Sequence, residues 1–213
     1  LVLEMGASGA GHIAYLTDFA PLDAAAVLMI GHAHMGGFGS IEGVAAAKAE
    51  IIAGLRPDGT AILNADDARA AAMAELAPAR VLTFSAQGRQ ADLRAENVDL
   101  DAVARAAFDL HLPGLAEPRR VQLAVAGVHN VSNALAAAGL ALAAGIAPEL
   151  IAERLGSVSI ESPHRMDISE LSGDLLLIDD SYNANIDSMS ASLASLPALA
   201  GDRRRVVVIS EML

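Results

Sequence analysis

The sequence predicts an α/β fold: a mostly parallel sheet flanked by helices, with a small antiparallel excursion, followed by the beginning of a second α/β unit. Three observations carry this. Short apolar runs alternate with stretches whose apolar residues recur at helical spacing. Residues 85–126 contain strand-like runs but no convincing helix, so neighbouring strands there must pair antiparallel. A composition shift at 157–163 then separates the first pattern from a second one.

The elements follow in order. Residues 1–5 (LVLEM) read as a core strand, and 13–17 as a short helix after the glycines of GASGAGH. Strands are predicted at 24–30, 60–63 and 80–84, with helices at 41–55 and 68–76 as the crossovers that parallel pairing requires. Strands at 106–112 and 121–126 form the antiparallel excursion. Helices follow at 130–144 and at 148–155, where Pro148 suits the first helical turn. Beyond the shift come strands at 166–171 and 175–179, a helix around 188–196 and a strand at 206–209. The chain opens without methionine on one apparent core strand and stops just after another, so it reads as an internal piece of a longer enzyme.

Composition excludes several classes. The chain has 213 residues, ample apolar sequence for a core, and no run long enough for a membrane span or a secretory signal. A cytoplasmic, monomeric protein is expected. Zero cysteines exclude disulfides and thiolate metal sites. A formal net charge of −12 argues against a general nucleic-acid surface while leaving room for a local nucleotide site.

Three clusters carry candidate chemistry. The first is Glu4, His34 and Lys48. Lys48 is the only lysine against thirteen arginines, and it falls at the spacing of Ile41, Val44, Ala45, Ile52 and Leu55. Burial there would favour the free amine, which can take up carbon dioxide and become a carbamate able to bind metal; a stem reaching along the surface to water is the alternative. Glu4 ends a predicted strand and His34 follows one, where ligands gather in α/β sheets, and carboxylate, imidazole and carbamate make a hard donor set suited to magnesium; a strand-end surface charge and a loop histidine bonding backbone are the alternatives. The second cluster is GVHNVSN, where Asn130 and Asn133 at a helix start either present amides to a purine edge or serve the helix terminus. The adjacent ambiguity is LNADD, where Asp67 can simply cap the next helix. The third is DDSYNAN, residues 179–185, a polar run without glycine or proline that a strand delivers to a loop, with a two-carboxylate turn as the alternative.

In this order, LEMGA, HMGGFGSIEGVAAAKAEI, LNADD, GVHNVSNALAA, HRMDI and DDSYNANIDSM resemble the Mur ligase family, the ATP-dependent amide ligases of peptidoglycan precursor synthesis. The likeness runs over the whole chain. It implies a central ATP-binding domain over 1–158 and the start of a Rossmann-like C-terminal domain over 159–213. Within the family, the stretch from Phe38 to Ile51 and the DDSYNAN loop look most like members that add D-alanyl-D-alanine to UDP-N-acetylmuramoyl-tripeptide. Folylpolyglutamate or cyanophycin synthetases on the same fold, and a catalytically silent nucleotide-binding homologue, are the alternatives.

The resemblance implies roles residue by residue. Glu4 and His34 match magnesium-binding positions, and Lys48 the lysine that is carbamylated and supports a metal ion. Asn130 and Asn133 match adenine-binding asparagines, Arg165 the arginine near ATP phosphates, and Asp180 the aspartate at the ribose. Tyr182 and Asn183 match loop positions near the nucleotide and the incoming dipeptide. Four departures stand out: Ser8 replaces an asparagine, Met29-Ile30 a threonine-asparagine pair, His164 the glycine before Arg165, and Glu211 part of a glycine-aspartate pair. The family's phosphate-binding loop is expected upstream of Leu1 and nothing in the chain replaces it, so the fragment alone is expected to be inactive.

Overall fold

Six strands pair in the order in which the chain makes them. The computed structural model describes residues 1–31, 38–78, 80–158 and 164–210. Strands β1 (Leu22–Val27), β2 (Leu55–Asn64), β3 (Arg80–Ser85) and β4 (Leu93–Leu100) run parallel, and β5 (Arg105–His111) and β6 (Arg119–Ala126) continue antiparallel. The predicted mostly parallel sheet with an antiparallel excursion is therefore present. Its register slips between Leu22 and Ala24, so the segment 56–59 of β2 has no partner on β1.

Helices cover both faces. On one lie α2 (Ile41–Ala53) and α3 (Ala68–Ala72), which runs on into a 3-10 turn (Met73–Leu76); they close a core with Val27, Val44, Ile52, Leu63 and Met73. On the other, α4 (Asn130–Ala143) and α5 (Pro148–Leu155) pack over Ile62, Phe84, Leu93, Phe108 and Leu110. Strand alternation explains the split: Ile62 faces α4, while its neighbours Ala61 and Leu63 face α2 and α3. Helix α4 approaches the sheet closely because Gly139 has no side chain; a Cβ there would stand 2.8 Å from Ile62 Cγ2.

Helix ends are held in two ways. Ser40 caps α2 locally, its side chain accepting from Gly43 N at 3.1 Å. Helix α1 (His12–Phe19) has no side-chain cap of its own. Instead Glu50 of α2 accepts from Gly11 N at 2.6 Å and Ala14 N at 3.0 Å, a carboxylate set against the positive end of a helix.

After residues 159–163 a separate hairpin forms from β7 (Asp167–Leu171) and β8 (Leu175–Asp179), followed by α6 (Ile186–Ala200). It meets the larger sheet through Ala104, Met166 and Leu199, which form a small apolar cluster. Among the described residues no helix is long and apolar enough to cross a membrane.

Three expectations are corrected. Residues 1–5 form no strand, and Leu1, Val2 and Leu3 are exposed; apolar pattern supplies only readiness to pair, and no described strand offers them a partner. The same holds for 206–209, where Val208 is 93% exposed. Conversely β4 is a strand that periodicity did not announce. Leu93 and Ala95 point inward, but Glu96, Asn97 and Asp99 give the run a loop-like composition, and the pairing with β5 is irregular between Glu96 and Asp99.

Candidate functional site

The carboxyl ends of β1, β2 and β8 and the start of α4 carry the polar groups singled out in the sequence. At the end of β2, Asn64 Nδ2 donates to Leu28 O at 2.7 Å and its Oδ1 accepts from Asp66 N at 2.8 Å. Asp67 Oδ1 accepts from Arg69 N and Ala70 N at 2.9 and 3.1 Å, capping α3, while Oδ2 accepts from Ile30 N at 2.7 Å. Asp66 is likewise committed, to Ser85 Oγ at 2.7 Å and Ala86 N at 2.8 Å. The LNADD segment is thus a brace tying β1, β2 and β3 together. Its carboxylates have structural partners.

Gly127 lets the chain turn from β6 into α4. Its φ is +104°, a conformation that favours glycine, and a Cβ would lie 2.5 Å from the His129 ring, which would have to move aside. Asn130 is the first helical residue, not a cap: its Nδ2 donates to Ala126 O at 2.8 Å, and its Oδ1 accepts from Asn133 Nδ2 at 3.0 Å. Asn133 is exposed, and its own carbonyl oxygen accepts nothing among the described residues. The helix start has no side-chain cap; instead the N–H groups of Asn130 and Val131 donate to Gly127 O and Val128 O at 3.0 and 3.1 Å. Partial burial holds the His129 pKa below the ordinary histidine value, with the Asp180 carboxylate pulling the other way. Gly127 N donates to Ala104 O at 2.8 Å, and Ala104 packs in one apolar cluster with Met166, whose N–H holds Asp180, so the start of α4 lies near the loop after β8.

The loop itself is built around Asp179. Its Oδ1 accepts from Ser181 Oγ at 2.7 Å and Ser181 N at 3.1 Å, and its Oδ2 pairs with His164 Nδ1 at 2.7 Å. Ser181's hydroxyl above all, then His164 and the Ser181 N–H, hold the Asp179 pKa down to about 2. Asp180 Oδ1 accepts from Met166 N at 3.0 Å. Tyr182 N donates to His164 O at 3.0 Å, and the Arg165 guanidinium lies over the Tyr182 ring at 4.2 Å from its centroid, a cation–π contact. Asn183 is exposed, and Asn185 forms a capping box with Ser188 at the start of α6. Asp187, in the first turn of α6, lies close to Gly31 after β1: a Cβ on that glycine would be 2.7 Å from Asp187 Oδ2.

Arg165, Asp180 and Tyr182 are therefore brought together, beside the helix start that carries Asn130 and Asn133. The metal group is different. His34 lies outside the described residues. Glu4 is exposed on an unpaired segment, and no group of three histidines or carboxylates that could hold a metal occurs among the described residues. Lys48 is exposed as well, which corrects the expectation of a desolvated lysine. Its spacing does match buried Val44 and Ile52. An ammonium without a counter-charge is costly to bury, and a four-carbon stem lets it reach water from an apolar stripe. Sequence reading missed Glu50, because a cap reaching from another helix has no local signature, and the His164–Asp179 pair, whose members stand fifteen residues apart.

Known proteins resemble the chain over its whole length. The family described as Mur ligase middle domain matches residues 1–141. A protein of Mycobacterium tuberculosis named UDP-N-acetylmuramoyl-tripeptide–D-alanyl-D-alanine ligase is 42% identical over 216 residues, covering 100% of this chain and 42% of its own length. The crystal structure of MurF from Acinetobacter baumannii superposes with a TM-score of 0.85 at 35% identity, over 92% of this chain and 42% of that one. A MurF ligase from Thermotoga maritima, crystallised in complex with ADP, gives 0.77 at 26% identity over 92% of this chain and 44% of its own. The chain spans about two fifths of the length of these relatives.

Proposed function

The chain belongs to the Mur ligase family, and on that premise we propose that it carries the nucleotide side of an ATP-dependent ligase joining D-alanyl-D-alanine to UDP-N-acetylmuramoyl-tripeptide. The observation that carries the reading is the Arg165–Tyr182 stack, which joins the turn before β7 to the loop after β8 that carries Asp180, beside the start of α4. Residues 1–158 belong to the ATP-binding domain and 159–213 begin the C-terminal ligase domain.

Each group has work suited to its chemistry. The free carbonyl of Asn133 can accept from an exocyclic amine, and Asn130 holds it in place through their mutual bond. Asp180 keeps one oxygen on Met166 N and offers the other to ribose hydroxyls. Arg165 offsets charge on the phosphoryl group in flight, and Tyr182 fixes the plane of its guanidinium. Tyr182 and Asn183 stand where a dipeptide would approach. The tripeptide's terminal carboxylate attacks the γ-phosphorus, the bond to the β–γ bridging oxygen breaks, and ADP leaves with that electron pair. The dipeptide amine then attacks the acyl carbon, phosphate departs, and the nitrogen loses a proton.

Magnesium would be held by Glu4, His34 and Lys48, the last as its carbamate. The donor types fit a hard cation, and Glu4 and Lys48 are both exposed and bonded to nothing among the described residues. When bound, the ion supplies positive charge against the phosphate oxygens. Lys48→Arg, which cannot form a carbamate, should keep the fold and lose most turnover.

The acceptor decides the reading. Phosphate release by the full-length protein should require ATP, the muramoyl-tripeptide and D-alanyl-D-alanine together. Preference for a single amino acid on a muramoyl donor, or for glutamate on a folate donor, would replace the substrate assignment and leave the fold intact.

A further inference from the structure

We propose that His164 is a positioning residue that acts through Arg165, by locking the turn from which Arg165 projects onto the fixed loop after β8. The inference rests on the reading of Arg165 as the phosphate-facing arginine. Its basis is a closed ring of contacts. The His164 backbone has φ +62°, a left-handed conformation that costs any residue with a Cβ, and Met166 two positions on has φ +49°. A turn of this kind persists only where its surroundings over-determine it. Here they do so from both ends of the residue. The imidazole is tied to Asp179 Oδ2 at 2.7 Å, and the carbonyl accepts from Tyr182 N at 3.0 Å.

The other side of the ring is equally fixed. Asp179 Oδ1 is occupied by the N–H and hydroxyl of Ser181, so the carboxylate cannot rotate without losing three bonds. Ser181 leads directly to Tyr182, whose ring carries Arg165 at 4.2 Å. The guanidinium is thus aimed by two routes: its own backbone, pinned through His164, and its stacking partner, pinned through Ser181. Both routes end on Asp179. Exposure makes this arrangement necessary, since His164, Arg165 and Tyr182 all lie at the surface and no surrounding core holds their rotamers.

A structural alternative exists: the pair merely stabilises the turn. The two differ in what glycine does at 164. Glycine takes φ +62° without strain, so His164→Gly should fold at least as well as the parent by melting temperature. It loses the imidazole anchor. For a positioning residue, kcat should fall about ten- to hundredfold, the range expected when a reacting group is misplaced by about 1 Å. His164→Asn, which tolerates the left-handed region and keeps a donor for Asp179, should stay within about threefold.

The test is a double-mutant cycle in the full-length protein, with ATP, UDP-N-acetylmuramoyl-tripeptide and D-alanyl-D-alanine, comparing His164→Gly in the parent and in Arg165→Lys. Asp179→Asn supplies a second perturbation of the same anchor. If His164 works through Arg165, His164→Gly slows the parent and adds almost nothing in Arg165→Lys, and Asp179→Asn behaves the same way. The inference is overturned if His164→Gly leaves kcat unchanged, or if it costs the same factor in both backgrounds. Full turnover in Arg165→Lys would instead remove the assignment of Arg165 itself, a separate failure with its own signature.

Discussion

Gly139→Ala should destabilise this protein, although the same change in most helix interiors stabilises. Alanine normally gains about 1 kcal/mol over glycine in a helix. At this position the new methyl would stand 2.8 Å from Ile62 Cγ2 and 3.2 Å from Cγ1. Ile62 is 0% exposed and β-branched, so it has neither solvent to enter nor a free rotamer to adopt. Overpacking of this kind costs about 1–3 kcal/mol, and the net expectation is a loss of about 1 kcal/mol. Ile62→Ala alone should cost about 2–5 kcal/mol through the cavity it leaves. In that background the obstruction is gone, so Gly139→Ala should turn stabilising by about 1 kcal/mol. The reversal of sign, a coupling of about 2 kcal/mol, is read from urea unfolding midpoints at constant slope. Gly139→Ala that stabilises the parent, or that has one effect in both backgrounds, would refute the close approach of α4 to the sheet. Because α4 begins with Asn130 and Asn133, a helix displaced from the sheet should also weaken ADP binding.

Two further outcomes follow from the polar ties. Asp67→Ala removes the cap of α3 and the acceptor for Ile30 N together, so it should cost about 2–4 kcal/mol by urea unfolding, whereas Asp67→Asn should recover most of that. Asp179, its pKa held at about 2, favours the folded loop fully above its ordinary value of 3.8 and loses that contribution as pH falls toward 2; a carboxyl-carbon NMR titration should show its inflection near the lower value, and one near 3.8 would contradict the Ser181 and His164 bonds.

Local chemistry was legible wherever a segment's own residues determine its shape. Pro148 announces α5, and the helical spacing over 130–144 describes α4 to within one residue, since both are decided by near neighbours. What escaped depends on partners. Residues 1–5 and 206–209 have strand composition without a strand, and β4 has a strand without the composition, because pairing is a property of two segments. The site divides along the same line. Asn130, Arg165, Asp180 and Tyr182 could be named from motifs, but the network through Asp179 joins residues with no sequence relation. Lys48 shows that periodicity locates a Cα and leaves the end of a long side chain undetermined.

The order of the strands bears on how the molecule is made. Every pairing in the large sheet joins consecutive strands, so each strand can add to the edge just completed as synthesis proceeds. The face that carries Ile62, Phe84 and Leu93 has no such early cover. Helix α4 supplies it, some thirty residues after β4 is complete, so a nascent chain stalled before residue 130 would hold an assembled sheet with one greasy side open. During that interval a holdase chaperone, or a neighbouring copy on the same message, would find its target.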